Sequence, residues 1–375
     1  MSGRVSELDA LVVGGGQAGL AAAFHLKRLG RRFEVLEARD RLGDQWRERW
    51  DSLRLFTPAR YSHLPGLALP LPDDAYPAKD EFAAYLERYA RHFQLPVRTG
   101  VRVERLAPTS GGFTLRTADG ERRARTVIVA TGPNARPRVP VQASALDPTV
   151  VQLHTSGYHS PEQLPEGPVV VVGAGTSGAE IALELAASGR PVHLSGRPTP
   201  HIPDAVFRFA GPAYWAFINR VLTLDTPMGR KVARKFHERG APLIRISIDD
   251  VTAAGVRLLP RLSGVVDGVP VFGEVTVGKP AAVVWATGFV PDLDWLPQAR
   301  LDRHGQPVTR RGLADGVPGL GFVGFPFQYS LASGLIGGVG RDAGGVVAGL
   351  VGTRPDPGQP RSQTAAASAG DRAAG

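Results

Sequence analysis

Leu11-Val12-Val13-Gly14-Gly15-Gly16-Gln17-Ala18-Gly19-Leu20 decides the fold of this 375-residue chain. An apolar run of strand length enters a glycine-rich turn, and an alanine-rich helical pattern through Ala21, Ala22, Ala23, Phe24 and Leu26 leaves it. Gly14 permits the tight turn, Gly16 lets the backbone approach a pyrophosphate, and Gly19 lets the helix lie close on the strand. Phosphate oxygens would then meet the unpaired amide N–H groups where the helix opens at Gln17. A second apolar strand, Phe33-Glu34-Val35-Leu36, ends at Glu37, an acid at the spacing that suits ribose hydroxyls.

The pattern recurs just before the middle of the chain. Val169 to Val172 precedes Gly173-Ala174-Gly175-Thr176-Ser177-Gly178, and a helical run from Ala179 to Leu185 follows. Two strand–turn–helix units mean two dinucleotide sites and an α/β fold with two Rossmann-like domains. The second strand of the later unit, Val192-His193-Leu194-Ser195, ends in Gly196-Arg197 with no acid. An arginine there suits a ribose 2′-phosphate through bidentate, charge-assisted contacts. The second cofactor is therefore expected to be NADPH, bound by Gly173, Gly175, Thr176, Ser177, Gly178, Ser195 and Arg197.

Between these units, residues 39–60 read as a loop rich in aromatic and apolar groups, and Pro65 to Pro77 as proline-punctuated and non-helical. Lys79 to Phe93 has the periodicity of an amphipathic helix. Val97 to Val103, Phe113 to Thr117 and Glu121 to Val129 read as strands of a small antiparallel unit. Thr126 to Gly132 is a buried strand ending in Ala130-Thr131-Gly132, and Asn134 to Pro140 reads as a stiff linker. Residues 205–240 read as a helical insertion with an apolar face on the core and a solvated basic face. Its other readings are a substrate tunnel or a membrane-surface face. Ala282 to Phe289 repeats the Ala-Thr-Gly ending at Thr287 and Gly288, Gly319 to Phe325 is a further strand, and Ser330 to Val351 a helix. The tail from 352 to 375 has nothing to bury and is expected to be disordered.

Composition narrows the chemistry. The chain has no cysteine, which removes dithiol redox chemistry, thiolate metal sites and cysteine nucleophiles. None of its nine histidines form a ligand pair at helical spacing, so no metal is expected. The net charge of +9 rests on scattered arginines, with only five lysines among 44 basic residues. That suits anionic dinucleotides, and no nucleic-acid partner is expected. No transmembrane segment or secretory leader is legible, so the expectation is a cytoplasmic enzyme. The oligomeric state stays open, a homodimer included.

The two glycine turns and the two Ala-Thr-Gly endings resemble the two-dinucleotide-binding flavoproteins. Leu153-His154-Thr155-Ser156-Gly157-Tyr158 is similar to the later half of the fingerprint of class B flavin-dependent monooxygenases, the group that holds flavin-containing, Baeyer–Villiger and YUCCA-type enzymes. Trp46 to Phe93 and Gly321 to Asp342 look most like its compact bacterial CzcO-like members. The resemblance implies an FAD domain of residues 1–140 and 286–351, with an NADPH domain of residues 141–285 inserted between them. It implies an NADPH-dependent flavoprotein monooxygenase that transfers one oxygen atom from O2 to a small sulfide, amine or ketone through a C4a-(hydro)peroxyflavin. An NAD(P)H-dependent flavin reductase or oxidase and a redox-sensing flavoprotein are the alternatives. Gly14, Gly16, Gln17, Gly19 and Glu37 would hold FAD, with Gln45 and Trp46 lining the flavin and Val103 offering its backbone to the adenine. Ala130, Thr131, Gly132, Thr287 and Gly288 mark the two strand endings beside the cofactors. Ser330 and Gly334 would aim the last helix at the flavin pyrimidine edge. Phe56, standing where eukaryotic flavin-containing enzymes place an asparagine, is a catalytic candidate together with His154 and Tyr158, though His154 reads first as a group that orients the linker.

Overall fold

A computed structural model describes residues 7–239 and 241–352, so the tail expected to be disordered lies outside the described residues from 353 onward. The chain opens with β1 (Leu8–Val13), α1 (Gln17–Arg28) and β2 (Phe33–Leu36), β2 lying parallel to β1. A short α2 (Asp44–Arg47) and α3 (Lys79–His92) follow. In α3 the periodic residues Phe82, Tyr85, Leu86 and Tyr89 are all buried, and Glu81 accepts the Ala78 N–H at 2.7 Å to fix its start. Next come β3 (Val97–Arg98), β4 (Val103–Thr109), β5 (Gly112–Thr117) and β6 (Gly120–Val129). The single strand expected over 97–103 is broken because the chain changes partner there: β3 pairs with β2, whereas β4 pairs with β5.

β7 (Arg136–Pro137) leads to β8 (Val151–His154), β9 (Val169–Val172), α4 (Thr176–Ala187) and β10 (Val192–Ser195). Then α5 (Asp204–Ala216), a π-helical turn over Phe217–Val221 and α6 (Pro227–Arg239) form the helical insertion. α7 (Ile248–Ala253) and β11 (Arg257–Leu259) precede a three-stranded antiparallel patch of β12 (Leu262–Val266), β13 (Val269–Phe272) and β14 (Val275–Thr276). After β15 (Ala282–Trp285) and β16 (Phe289–Val290) the chain re-enters the first sheet as β17 (Thr309–Arg310), β18 (Leu313–Ala314) and β19 (Leu320–Phe322), and closes with α8 (Ile336–Val351).

Two sheets carry the architecture. The first has the order β17-β18-β19-β6-β1-β2-β3, with β5 and β4 attached to β6, and the second is β11-β10-β9-β15-β8. In the first, β19, β6, β1 and β2 are parallel and their last residues, Phe322, Val129, Val13 and Leu36, stand side by side. In the second, Leu259, Ser195, Val172, Trp285 and His154 do the same. Ligands of open α/β sheets bind outside such carboxyl ends. The apolar runs 10–13 and 169–172 are buried because both faces of each sheet are covered.

Two further expectations need correction. Asn134 to Pro140 is not a lone linker: β7 pairs antiparallel with β16, Pro137 opposite Phe289, and Arg138 N–H donates to Gly288 O at 2.9 Å. The chain crosses between the sheets twice, and the two crossings satisfy each other's backbone groups. Ser330 to Val351 is not one helix. A 3₁₀ turn over Leu331–Gly334 is followed by Leu335 in extended geometry, φ −90° and ψ 150°, before α8 begins.

Candidate dinucleotide-binding site

At the end of β1, Gly14 takes φ +107°, and a Cβ there would stand 2.5 Å from Ala130 O. A Cβ on Gly19 would stand 1.8 Å from Gly14 O. Only glycine fits either position. Gly16 precedes α1 in extended geometry with no side-chain cap and no acid in the first helical turn, so the helix presents bare amides and the positive end of its dipole. Glu37 turns onto this loop: Oε2 accepts Gly15 N–H at 2.7 Å and Oε1 accepts Arg39 N–H at 2.9 Å. Gly16, Glu37, Arg39, Gly43, Gln45 and Trp46 line a small cleft beside the turn. Trp46 packs edge-on against Phe82 at 5.0 Å and is half-buried, as are Gln45 and Phe56. Val103 is buried at the start of β4. Thr131, two residues past β6, has its Oγ1 buried without any hydrogen-bond partner.

The second turn repeats the first atom for atom where it matters. Gly173 has φ +118°, with Ala286 O 2.2 Å from its notional Cβ, and Gly178 meets Gly173 O at 1.8 Å. The two Ala-Thr-Gly endings thus have a common cause: the alanine carbonyl is the surface against which the first glycine of each turn packs. Gly175 has open space where a Cβ would stand, and Thr176 and Ser177 are half-buried at the uncapped start of α4. The difference lies one residue past the second strand. Where Glu37 braces the first turn, a Cβ on Gly196 would stand 2.8 Å from Ala174 N, and Arg197 stands exposed after it.

Several candidates are placed elsewhere than expected. Ser195 is fully buried and its hydroxyl donates to Pro260 O at 2.7 Å, so it braces the strand ends instead of facing a ligand. Tyr158 is a core residue. It is fully buried, donates to Glu184 Oε2 at 2.7 Å, and its phenol is held well above its ordinary pKa by burial and then by that carboxylate. It cannot serve as a catalyst from there. His154 is also a structural pin, because both ring nitrogens are engaged. Nε2 lies 3.0 Å from Gly288 O, while Nδ1 accepts Ser156 N–H at 3.2 Å and faces Ser156 Oγ at 3.0 Å. Burial holds its pKa below the ordinary value. Thr287 gives its hydroxyl to Arg138 O across the two crossings, with Gly288 beside it at φ +82°. Ser330 is buried and caps the 3₁₀ turn through Ala332 N–H, so the turn ending at Gly334, not α8 itself, starts there.

Arg49 escaped the sequence reading. Its guanidinium lies 4.8 Å over the ring of Phe289, whose edge meets His154 at 4.7 Å. Among the described residues it has no hydrogen-bond or ion-pair partner, and burial together with Arg39 lowers its pKa. One arginine in a loop of several carries no distinguishing pattern in sequence. Farther along the carboxyl edge, a groove of about 500 Å³ runs between Leu224, Ala233 and Arg234 of the insertion and Val308, Phe325, Pro326 and Phe327.

Residues 11–205 match the family model described as pyridine nucleotide-disulphide oxidoreductase. A CzcO-like oxidoreductase of Geobacillus kaustophilus is 38% identical over 339 residues, covering 90% of this chain and 96% of that protein. The rice indole-3-pyruvate monooxygenase YUCCA1 is 41% identical over 197 residues, 52% of this chain and 48% of that protein. Among solved structures, a flavin-containing monooxygenase from Stenotrophomonas maltophilia superposes with TM-score 0.76 at 29% identity, covering 92% of this chain and 98% of that one. With no cysteine, the chain has no residue of its own for the disulphide chemistry in the family's description. It belongs to the pyridine nucleotide-disulphide oxidoreductase family, alongside the CzcO-like oxidoreductases and flavin monooxygenases.

Proposed function

We propose that the chain is an FAD- and NADPH-dependent monooxygenase that places one oxygen atom of O2 into a small organic acceptor. The observation that carries this is the matched pair of glycine turns, each at the carboxyl edge of the parallel strands of its own sheet, joined by the β7–β16 ribbon. Full-length similarity to a flavin-containing monooxygenase supports the reaction class. We assign FAD to residues 1–140 and 286–351, and NADPH to residues 141–285.

The residues fit these groups. The bare amides at Gly16 and Gln17, and the contacts that leave no room for a Cβ at Gly14 and Gly19, suit a pyrophosphate held against backbone. Glu37 would take ribose hydroxyls, and the orphaned Thr131 hydroxyl is a donor in want of an acceptor. Gln45, Trp46 and Phe56 would line the flavin, with Ala130, Gly132, Ser330 and Gly334 around it, and the Val103 backbone would meet the adenine. Gly173, Gly175, Thr176, Ser177 and Gly178 would hold the second pyrophosphate, and Arg197 the 2′-phosphate. The bound cofactors supply hydride transfer and activation of O2. The protein's part is to bind, to orient and to keep water out. His154, through Gly288 and Phe289, fixes how the two crossings meet and so the approach of one site to the other. The apolar wall of Leu224, Val308, Phe325, Pro326 and Phe327 suits a small apolar acceptor.

The test is the fate of electrons from NADPH under air, with sulfides, amines and ketones supplied in turn. Oxygenated product in proportion to NADPH consumed supports the reading. Hydrogen peroxide as the sole product with every acceptor replaces it with an oxidase.

A further inference from the structure

Helix α5 and the π-helical turn after it are apolar on both sides. The inward side, Phe207, Gly211, Trp215 and Ile218, is buried, with Trp215 5.2 Å from the ring of Tyr61. The outward side carries Phe209 at 81% exposure, Phe217 at 42% and Val221 at 38%, followed by Met228 at 52%. Pro212, Ala213 and Ala216 lie exposed between them. A surface helix ordinarily turns polar residues to water; on this side only Arg208 and Arg220 do so. Of the ten large apolar side chains exposed among the described residues, four fall between 209 and 228, a patch of the kind that something covers.

The surrounding charge says what. Between 204 and 235 stand Arg208, Arg220, Arg230, Lys231, Arg234 and Lys235 against Asp204 and Asp225 only. Both carboxylates are engaged, Asp225 by Arg311 and Asp204 by the Tyr76 hydroxyl at 2.9 Å. Among the described residues, Arg208, Arg220, Lys231, Arg234 and Lys235 form no ion pair. The insertion is also held in one orientation. Leu331 N–H donates to Leu222 O at 3.0 Å and Leu224 N–H to Tyr329 O at 2.8 Å, so the exposed side is a fixed surface.

We propose that this face docks on an anionic lipid bilayer. Phe209, Phe217, Val221 and Met228 enter the boundary between headgroups and acyl chains. Arg208 and Arg220 lay their aliphatic stems along it, their heads reach lipid phosphates, and the basic helix α6 adds long-range attraction. Two copies meeting through this face would bring their cation sets together and repel. The attachment is peripheral, since no helix among the described residues is long and apolar enough to cross a membrane.

Flotation of the flavin-loaded protein tests this, with vesicles of phosphatidylcholine alone or with about 30% phosphatidylglycerol. The wild type is expected to float with the anionic vesicles, poorly with the neutral ones, and to be released by high salt. Phe209→Glu with Phe217→Glu should lower binding by roughly tenfold or more, and Lys231→Ala with Lys235→Ala by less. Both variants should keep the flavin content and the soluble NADPH oxidation rate of the wild type, because the changed side chains point away from the core. Wild type left in the soluble fraction with anionic vesicles overturns the proposal. So does flotation that is indifferent to the phenylalanine pair, and so does a dimer in sedimentation velocity that the same pair dissociates, which would assign the face to a second copy.

Discussion

Arg341 Nη2 stands 2.8 Å from Ser330 Oγ, and that contact ties α8 to the turn preceding it. The same guanidinium holds Asp342 Oδ1 through Nε at 2.7 Å, donates to Asn219 Oδ1 at 2.8 Å, and lies 4.9 Å over the ring of Tyr329. One side chain thus joins the closing helix, the 3₁₀ turn and the π-helical turn of the insertion. Arg341→Met keeps the stem and removes the head, leaving the Asp342 carboxylate, 6% exposed, without its cation. The expected loss is about 2–4 kcal/mol of stability, with weaker flavin retention. Denaturant unfolding checks this, and an unchanged midpoint contradicts it.

Arg197 stands exposed past β10 where the first unit has Glu37. Arg197→Ala should cut kcat/KM for NADPH by roughly tenfold to a hundredfold, the worth of a charge-assisted pair, and leave NADH turnover nearly unchanged. Steady-state rates with both nucleotides decide it. Equal kcat/KM for NADH and NADPH in the wild type would remove the arginine from this role.

Arg49 has Phe289 beneath it and its guanidinium forms no ion pair among the described residues. Arg49→Met should cost only about 0.5–1 kcal/mol of stability, the value of the ring contact. NADP⁺ affinity should fall about tenfold, because the lost charge faces the junction of the two sites. Fluorescence titration with NADP⁺ measures this, and an unaltered Kd refutes it.

His25 and His154 are both held below the ordinary value of 6.5 chiefly by burial, each with a ring nitrogen on a backbone carbonyl. Their neutral forms are favoured by folding. Their contribution is therefore full above pH 6.5, where both states are neutral, and is lost as pH falls and the unfolded chain takes up protons first. Melting temperature should decline as pH drops below that value, and His154→Gln should flatten the decline. A melting temperature that rises on acidification over this range contradicts the assignment.

Both glycine turns, the acid Glu37 and the faces of α3 were legible because they depend on residues near one another in sequence. What was not legible depends on partners far away. The β7–β16 ribbon joins Pro137 to Phe289, and nothing in either stretch names the other. Ser195 and Tyr158 sit in motifs that resemble ligand-binding ones, yet Pro260 and Glu184 engage their hydroxyls. The break at Leu335 follows from Ser330 and Ser333 bonding the local backbone, an option that helical periodicity does not reveal. The insertion is expected to turn its apolar face to the core, but the helix has only one inward side, Phe207, Trp215 and Ile218 fill it, and Phe209 and Phe217 stand exposed.

The central claim is two separate dinucleotide cradles, and Gly16 and Gly175 test it because a Cβ there disturbs nothing in the protein. Both have ordinary extended backbone, with φ −72° and −84°; Gln45 Oε1 at 4.0 Å is the sole neighbour at Gly16, and Gly175 has none within 4 Å. Alanine at either site should change stability by less than about 0.5 kcal/mol, so any loss of ligand belongs to the cradle. The measurement is the visible spectrum of each purified variant during NADP⁺ titration. Gly16→Ala should come off the column with little or no flavin, whereas Gly175→Ala should be yellow with NADP⁺ affinity reduced about tenfold or more. Full flavin content and wild-type NADP⁺ affinity in both variants would contradict the account.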